Sequence, residues 1–359
     1  MSPHFPPVPG PPLLLSHLLG LMFVLHVVFM NYLIAAPILA VWYRWLRPDE
    51  GRDFARWLTA ALPVTFTFAI NFGVACLLFV QVLHPDRFFT ANILFGVAWL
   101  SVIVLLLLAF YGAYIHRRFA RDDRPFWAGL AGLAVTACVW AMALVMIGNY
   151  FNATSKELWP VLQRAPWEII KSQTLVPRLL HFISGAFAVT GFWMVWISWW
   201  RAKREASVQV VMSFRRHGLL VALGGTGLQV IVGVWLLIWL PSAAWDRLFS
   251  GSIPSLIWIS AVASGLVMLG LLIVANVFPD RPIWQKVSTA LLAWTLIGMT
   301  TGRDLVRIVA FGPDFSVKQL PWALQPGAML AFGLILAAGA LSLLWLFWLV
   351  RRLPASKPN

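Results

Sequence analysis

Charged residues are scarce in this chain of 359 residues: they make up 11% of it, while apolar residues make up 60%. A soluble globular protein carries roughly 25% charged residues, so the composition excludes that class. We expect a polytopic membrane protein whose helices, each about 20 apolar residues long, cross the lipid bilayer. Basic residues outnumber acidic ones by 27 to 13, but in a membrane protein such an excess indicates orientation and not nucleic-acid binding.

Cysteine is also scarce, and its two positions exclude several classes of site. Cys76 and Cys138 both lie within apolar runs, so we expect no disulfide framework. The chain contains no CxxCH motif for covalent heme attachment, so any c-type heme would belong to a partner chain. Residues 1–12 are rich in proline, and the apolar run after them is too long for a signal peptide.

Long apolar runs fill most of the remaining chain. About nine of them are long enough to span a bilayer. They are residues 13–43, 58–83, 91–115, 126–147, 177–200, 218–240, 254–278, 284–311 and 327–350. The sequence therefore predicts an all-α bundle of about nine transmembrane helices over 13–350, with tails at 1–12 and 351–359. The longest connection, 148–176, is polar and is predicted to contain a short surface helix.

Arginine and lysine predict the orientation of this bundle, because they collect in every second connection. They are Arg44, Arg47, Arg52 and Arg56, then Arg117, Arg118, Arg121 and Arg124, then Arg201, Lys203, Arg204, Arg215 and Arg216, and finally Arg351, Arg352 and Lys357. Basic connections stay in the cytoplasm. We therefore predict a multi-pass protein of the bacterial inner membrane, with a periplasmic N-terminus and a cytoplasmic C-terminus.

Three polar residues on three predicted helices lie at a similar depth near the outer surface. At 1.5 Å per residue, His26 lies about 27 Å from the inner residue Arg44, and His181 about 30 Å from Arg201. Arg303 lies about 26 Å from Lys286 by the same measure. Ionisable residues within a membrane are costly and indicate function. A single histidine at this depth is more often simply hydrogen-bonded, but the coincidence of three residues favours a shared role.

That shared role is predicted to be heme binding. Heme iron takes axial imidazole ligands, and the heme propionates need cationic partners. His26 and His181 are the candidate ligands, and Arg178 with Arg303 or Arg307 are the candidate cations. Two further residues leave alternatives open. Asp304 is alternatively a simple ion-pair partner of these arginines, and His17, on the helix face opposite His26, is a weaker ligand candidate or serves a second, more exposed heme.

Several stretches resemble subunit I of the cytochrome bd quinol oxidases. Residues 178–200 read "RLLHFISGAFAVTGFWMVWISWW" and are similar to the fifth-span pattern of that family. Residues 26–41, "HVVFMNYLIAAPILAV", are similar to its first span, and 70–81, "INFGVACLLFVQ", to a second-span pattern. Residues 300–306, "TTGRDLV", resemble a conserved family element, "EYGRQPW". The resemblance implies a nine-span subunit with its N-terminus outside.

The same resemblance implies roles for individual residues. It places His181 on a ligand of the low-spin heme b, His26 on an axial ligand at the high-spin site, and Arg303 on an arginine beside heme. The chain also departs from the family: Thr300 stands where a glutamate ligates heme, and residues 91–115 contain no carboxylate. The methionine ligand of the low-spin heme is missing near Ala263, and the quinol-binding loop is reduced to about 241–253. These departures favour relatives that exchange electrons with c-type cytochromes.

Three functions follow as hypotheses. The leading one is a b-type cytochrome subunit of a membrane oxidoreductase complex, with one or more hemes b. It would transfer electrons between quinone, or a heme-protein partner, and a c-type cytochrome at the periplasmic face. The second is a divergent bd-type oxidase that reduces oxygen. The third is a heme-free membrane anchor that works with other membrane subunits. We predict no catalytic side chain and no nucleic-acid partner.

Overall fold

The computed structural model describes residues 6–47, 50–165, 168, 171–203, 207–312 and 315–352. The described residues form helices and turns, with one isolated β-bridge between Val8 and Trp322 and no β-sheet. This confirms the predicted all-α class. The predicted C-terminal tail lies, from residue 353 onward, outside the described residues.

The helices are, in chain order, α1 (Pro12–Leu46), α2 (Gly51–Leu83), α3 (Pro85–Phe95), α4 (Val97–Arg121), α5 (Pro125–Thr154), α6 (Trp159–Leu162), α7 (Leu175–Arg201), α8 (Val208–Ile238), α9 (Ser242–Leu248), α10 (Ile253–Val277), α11 (Pro282–Phe311) and α12 (Pro326–Arg352). Short 3₁₀ turns cover Lys156–Leu158 and Val317–Gln319. Nine helices within the described ranges have 25 or more residues, and each overlaps one predicted apolar run.

Seven of these nine helices are long and apolar enough to cross a membrane, by length and composition. The other two are α11 and α12. Helix α11 carries Lys286, Arg303, Asp304 and Arg307, which lower its hydropathy. The apolar stretch of α12 that is described runs only over Pro326–Gly339. The chain is therefore a multi-pass membrane protein whose polar helix, α11, is one of the elements that carry the candidate site.

The third predicted span begins later than expected. Gly96 separates α3 from α4 and adopts a φ of 47°, a left-handed conformation that costs glycine little because it has no Cβ. The apolar run from residue 91 is thus broken, and the long helix α4 starts at Val97. The connection after α5 contains the short helix α6, as predicted. Proline at the first turn of α1, α3, α5 and α11 favours those helix starts.

The long helices pack as two groups of four. Helices α1, α2, α4 and α5 form one group, and α7, α8, α10 and α11 form the other. The groups meet along α1 and α7, where the Trp193 indole N–H donates to the Val28 carbonyl at 3.1 Å and the Thr190 hydroxyl donates to the Asn31 carbonyl at 3.2 Å. These bonds satisfy the side-chain donors of α7 and fix α1 against α7.

The N-terminal segment before α1 is paired with the segment before α12. The Val8 backbone N–H donates to the Pro321 carbonyl at 2.9 Å, and the Ala323 N–H donates to the Val8 carbonyl at 3.0 Å. The proline-rich tail predicted at 1–12 is therefore anchored from Val8 onward.

We call the end of the bundle that holds His26 and Arg303 the outer end, and the end that holds Arg44 and Arg201 the inner end.

Candidate functional site

His26 lies in α1 and packs against α2. Its Nδ1 donates a hydrogen bond to the Ala69 carbonyl at 2.8 Å. Gly73 lies directly beneath the ring, and a Cβ at that position would be 2.8 Å from the imidazole Cε1. The other ring nitrogen, Nε2, has no hydrogen bond to any described residue. Metal-binding histidines typically have this arrangement, in which one nitrogen is fixed by a backbone carbonyl and the other is free to ligate.

His181 lies in α7 and packs against α8. A Cβ at Gly233 would be 3.2 Å from its Cε1, and the Gln229 amide nitrogen lies 3.4 Å from its Nε2. That distance is at the limit for a hydrogen bond. The second ring nitrogen, Nδ1, is enclosed and has no partner among the described residues. An enclosed polar atom without a partner is unfavourable, so the ring is held less completely than that of His26.

The two histidines lie on separate helix pairs. His26 lies between α1 and α2, whereas His181 lies between α7 and α8, and within the described ranges no contact joins the two rings. Their similar depth therefore does not bring them onto one face. The arrangement suits two separate ligands better than a single iron held between both imidazoles.

Arg178 and Arg303, in contrast, both lie close to the ring of Tyr150. The guanidinium carbon of Arg178 lies 5.2 Å from the ring centroid of Tyr150, and that of Arg303 lies 5.0 Å from it. Arg303 also lies 4.3 Å from the Phe23 ring, whose centroid is 6.4 Å from that of His26. Helices α1, α5, α7 and α11 thus converge here, and the cations are held by aromatic faces.

Asp304 pairs with two of the arginines, as the ion-pair alternative predicts. It lies 3.2 Å from Arg307 and 3.4 Å from Arg303. One carboxylate therefore faces a cluster of three guanidinium groups, counting Arg178, which leaves a net charge of +2. The Nε atoms of Arg178 and Arg307 are enclosed and have no hydrogen-bond partner in the described chain. Such a cluster suits an additional anion, and arginine prefers carboxylate or phosphate.

His17 does not join this cluster. Its side chain is exposed on α1, and its Nδ1 donates to the Leu13 carbonyl of its own helix at 2.7 Å. Its predicted role as a ligand of a more exposed heme stays a prediction. Thr300 donates its hydroxyl to the Leu296 carbonyl at 2.9 Å, so the position of the family's glutamate offers no carboxylate. No group of three candidate metal ligands occurs within the described ranges.

Sequence reasoning missed three parts of the site. Phe23 and Tyr150 hold the arginines. Nothing in the apolar run 13–43 distinguishes Phe23 from a lipid-facing aromatic, and Tyr150 falls in the predicted polar connection 148–176. His84, which lies between α2 and α3, is 4% exposed and packs between Phe311 and Phe315, with ring centroids at 4.9 and 5.4 Å. Burial, together with the charges of Arg307 and Arg87, lowers the pKa of His84 to about 3.

The residues present fit heme b in their donor chemistry. His26 offers a fixed imidazole with a free Nε2, His181 has an enclosed nitrogen that lacks a partner, and the arginine cluster has one carboxylate, Asp304, for three guanidinium groups. Axial imidazoles and propionate-pairing cations are the groups that a b-type heme requires. The fit is more complete at His26 than at His181, where Gln229 contacts the ring.

Comparison with known proteins confirms the fold. No protein-family model matches the chain, and no curated protein matches it. A solved structure, that of bd oxidase from Geobacillus thermodenitrificans, matches with a TM-score of 0.66 at 13% sequence identity. The match covers 97% of this chain and 100% of that one. At this identity the likeness establishes a shared fold, and the predicted bd-type helical bundle is confirmed at that level.

Proposed function

We propose that this chain is a b-type cytochrome subunit of a membrane oxidoreductase complex in the bacterial inner membrane. It would exchange electrons between quinone, or a heme-protein partner, and a c-type cytochrome at the periplasmic face. The observation that carries the proposal is the His26 imidazole, whose Nδ1 is fixed by the Ala69 carbonyl and whose Nε2 is free. The shared bd-type fold supports the same class of protein.

Each site residue has a defined task in this proposal. His26 and His181 would be axial ligands of two separate hemes, and Arg178, Arg303 and Arg307 would bind propionates. Heme b would supply a one-electron redox couple. The protein would hold the His26 ring in one orientation through Ala69 and Gly73, and its apolar helices would exclude water from the ring. The aromatic contacts of Arg303 would keep that cation close to His26.

The decisive experiment is a reduced-minus-oxidised visible spectrum of the purified chain. We expect a b-type difference spectrum that is reduced in His26→Ala and in His181→Ala and abolished in the double variant. His217→Ala is the matched control, because His217 lies at the inner end and its Nδ1 donates to the Ser213 carbonyl at 2.9 Å. Added imidazole should restore absorbance to the single variants, which distinguishes a lost ligand from a misfolded chain.

Two other outcomes would replace this proposal. Full heme content in the double variant, or no b-type signal in the wild-type chain, would favour a membrane anchor. Carbon monoxide binding to the reduced protein would favour the divergent oxidase, because it requires an iron with an open coordination position. Thr300, whose hydroxyl is bonded within its own helix, argues against that oxidase, since its position supplies no carboxylate.

A further inference from the structure

A separate buried histidine lies at the inner end of the bundle. His116, in α4, is 1% exposed, and neither of its ring nitrogens has a hydrogen-bond partner in the described chain. The backbone of Ala128 lies near the ring without hydrogen-bond geometry. Gly132 of α5 makes room for the ring, because a Cβ there would be 2.7 Å from Cε1 and 3.0 Å from Nε2. The ring is thus enclosed while its polar atoms are unsatisfied.

A small cavity borders this ring. Its volume is ≈ 10 Å³, close to the roughly 10–15 Å³ that one water molecule requires by the same measure. The lining comes from α1, α2, α4 and α5 and from the turn between α4 and α5, and its polar side chains are Arg44, His116, Asp123 and Arg124. The cavity therefore has polar groups as well as room, which are the two conditions for a buried water.

Asp123, in the turn between α4 and α5, is one of the charged residues that line the cavity. Its carboxylate lies 3.0 Å from the Arg44 guanidinium and 3.6 Å from Arg52. Asp123 also has a φ of 54°, a left-handed conformation that aspartate tolerates better than most residues. The charged groups that border the cavity are thus Arg44 from α1 and Asp123 and Arg124 from the turn, and Arg52 from α2 pairs with Asp123. The lining residues of α5, including Ala128, carry no charge.

Within the described ranges, no chain of hydrogen bonds connects the cavity to the arginine cluster at the outer end. The next buried polar side chain outward on α5 is Thr136, and its hydroxyl donates to the Gly132 carbonyl of the same helix at 2.8 Å. That hydroxyl proton is therefore not directed at His116. Exchange of protons with His116 would occur from the inner side, past Asp123 and Arg44.

We propose that this cavity binds one ordered water that joins His116 to the Asp123 carboxylate, and that His116 exchanges protons with the inner aqueous phase through this water. A proton from the inner phase binds to the water, which passes one of its own protons to a ring nitrogen and is regenerated as neutral water. The Asp123 carboxylate then faces the imidazolium and offsets its charge. The reverse steps return the proton to the inner side.

The water itself is the probe in the first test. The full chain, labelled with ¹⁵N-histidine and placed in lipid nanodiscs, would be studied by solid-state NMR with magnetisation transferred from water protons. His116→Gln assigns the resonance. We expect rapid transfer to His116 in the wild-type chain and its loss in Ala120→Val, which fills the cavity. Ala137→Val, on an exposed face of α5, is the matched control and should leave the transfer unchanged.

Asp123→Asn provides the second test, because it keeps a polar group at the cavity and removes the negative charge. We expect water transfer to His116 to persist and the fraction of imidazolium at a fixed pH to fall several-fold. Absence of water transfer in the folded wild-type chain would overturn the proposal, as would equal transfer in Ala120→Val. An imidazolium fraction that is zero at all values between about pH 5 and 8, or unaffected by Asp123→Asn, would also overturn it.

Discussion

The rings of His26 and His181 are held in different ways, although both histidines lie at the outer end of the bundle. The α1–α2 pair gives His26 a backbone acceptor at 2.8 Å and a glycine directly beneath the ring. The α7–α8 pair gives His181 only a 3.4 Å contact with Gln229 and leaves its Nδ1 without a partner. The protein alone therefore orients His26, whereas the orientation of His181 depends more on whatever binds there.

The largest expected effect comes from Gly73→Ala compared with Gly233→Ala. A Cβ at Gly73 would lie 2.8 Å from the His26 ring, so the ring must move; at Gly233 the corresponding distance is 3.2 Å, which a small shift relieves. We expect loss of the b-type signal assigned to His26 in the first variant and near-normal heme content in the second. Gly224→Ala, in open space, is the control. Equal heme loss in both glycine variants would contradict the contrast between the two sites.

His84 should make the stability of the outer end dependent on pH. Its folded pKa of about 3 lies below the unfolded value of about 6.5, so the unfolded chain binds the proton more readily. The stabilisation is complete above about pH 6.5 and is lost as the pH falls toward 3. The cost at the acidic end is on the order of a few kcal/mol. Thermal unfolding in detergent should show a steeper acid loss in the wild-type chain than in His84→Phe.

His84→Phe is a conservative change here, because the ring packs between Phe311 and Phe315. Its melting temperature should therefore stay near the wild-type value at pH 7.5. If both proteins lost stability identically on acidification, the burial of His84 would not be the cause of the pH dependence.

The Arg303→Gln and Arg178→Gln variants should both have smaller effects than the changes described above. Arg303 contacts Phe23 beside His26, whereas Arg178 lies in the turn of α7 before His181. Removing a nearby positive charge stabilises the oxidised state of a b-type heme. We therefore expect the midpoint potential of the heme beside each substituted arginine to fall by tens of millivolts. Redox titration should show that each variant shifts mainly the component of its own histidine. Identical shifts of both components would contradict this assignment.

The smallest effect is expected from Gln229→Ala. The 3.4 Å contact of Gln229 with His181 is too long to contribute much to stability. Heme content and thermal stability should therefore remain close to those of the wild-type chain. A large loss of the His181 component would show that Gln229, and not a bound group, orients that ring.

The sequence predicted the long helices well, because apolar runs and alternating arginines depend on the bilayer itself. The predicted start of the third span at residue 91 was wrong, because the apolar run does not show that Gly96 adopts a positive φ and interrupts the helix. In the site, the rise per residue predicted a similar depth for His26 and Arg303, and both residues lie beside the Phe23 ring. Depth contains no information on direction around a helix axis, so the separate orientations of His26 and His181 could not be predicted.

If His26 and His181 each ligate a separate b-type heme, the heme content per chain must depend on both residues. Heme would be extracted and quantified per chain for the purified wild-type protein, His26→Ala and His181→Ala, each first checked for a monodisperse, folded state. We expect each substitution to remove a different spectral component, and we expect the two losses to add up to the whole wild-type heme content. Wild-type heme content in both variants, or loss of one and the same component in both, would contradict it.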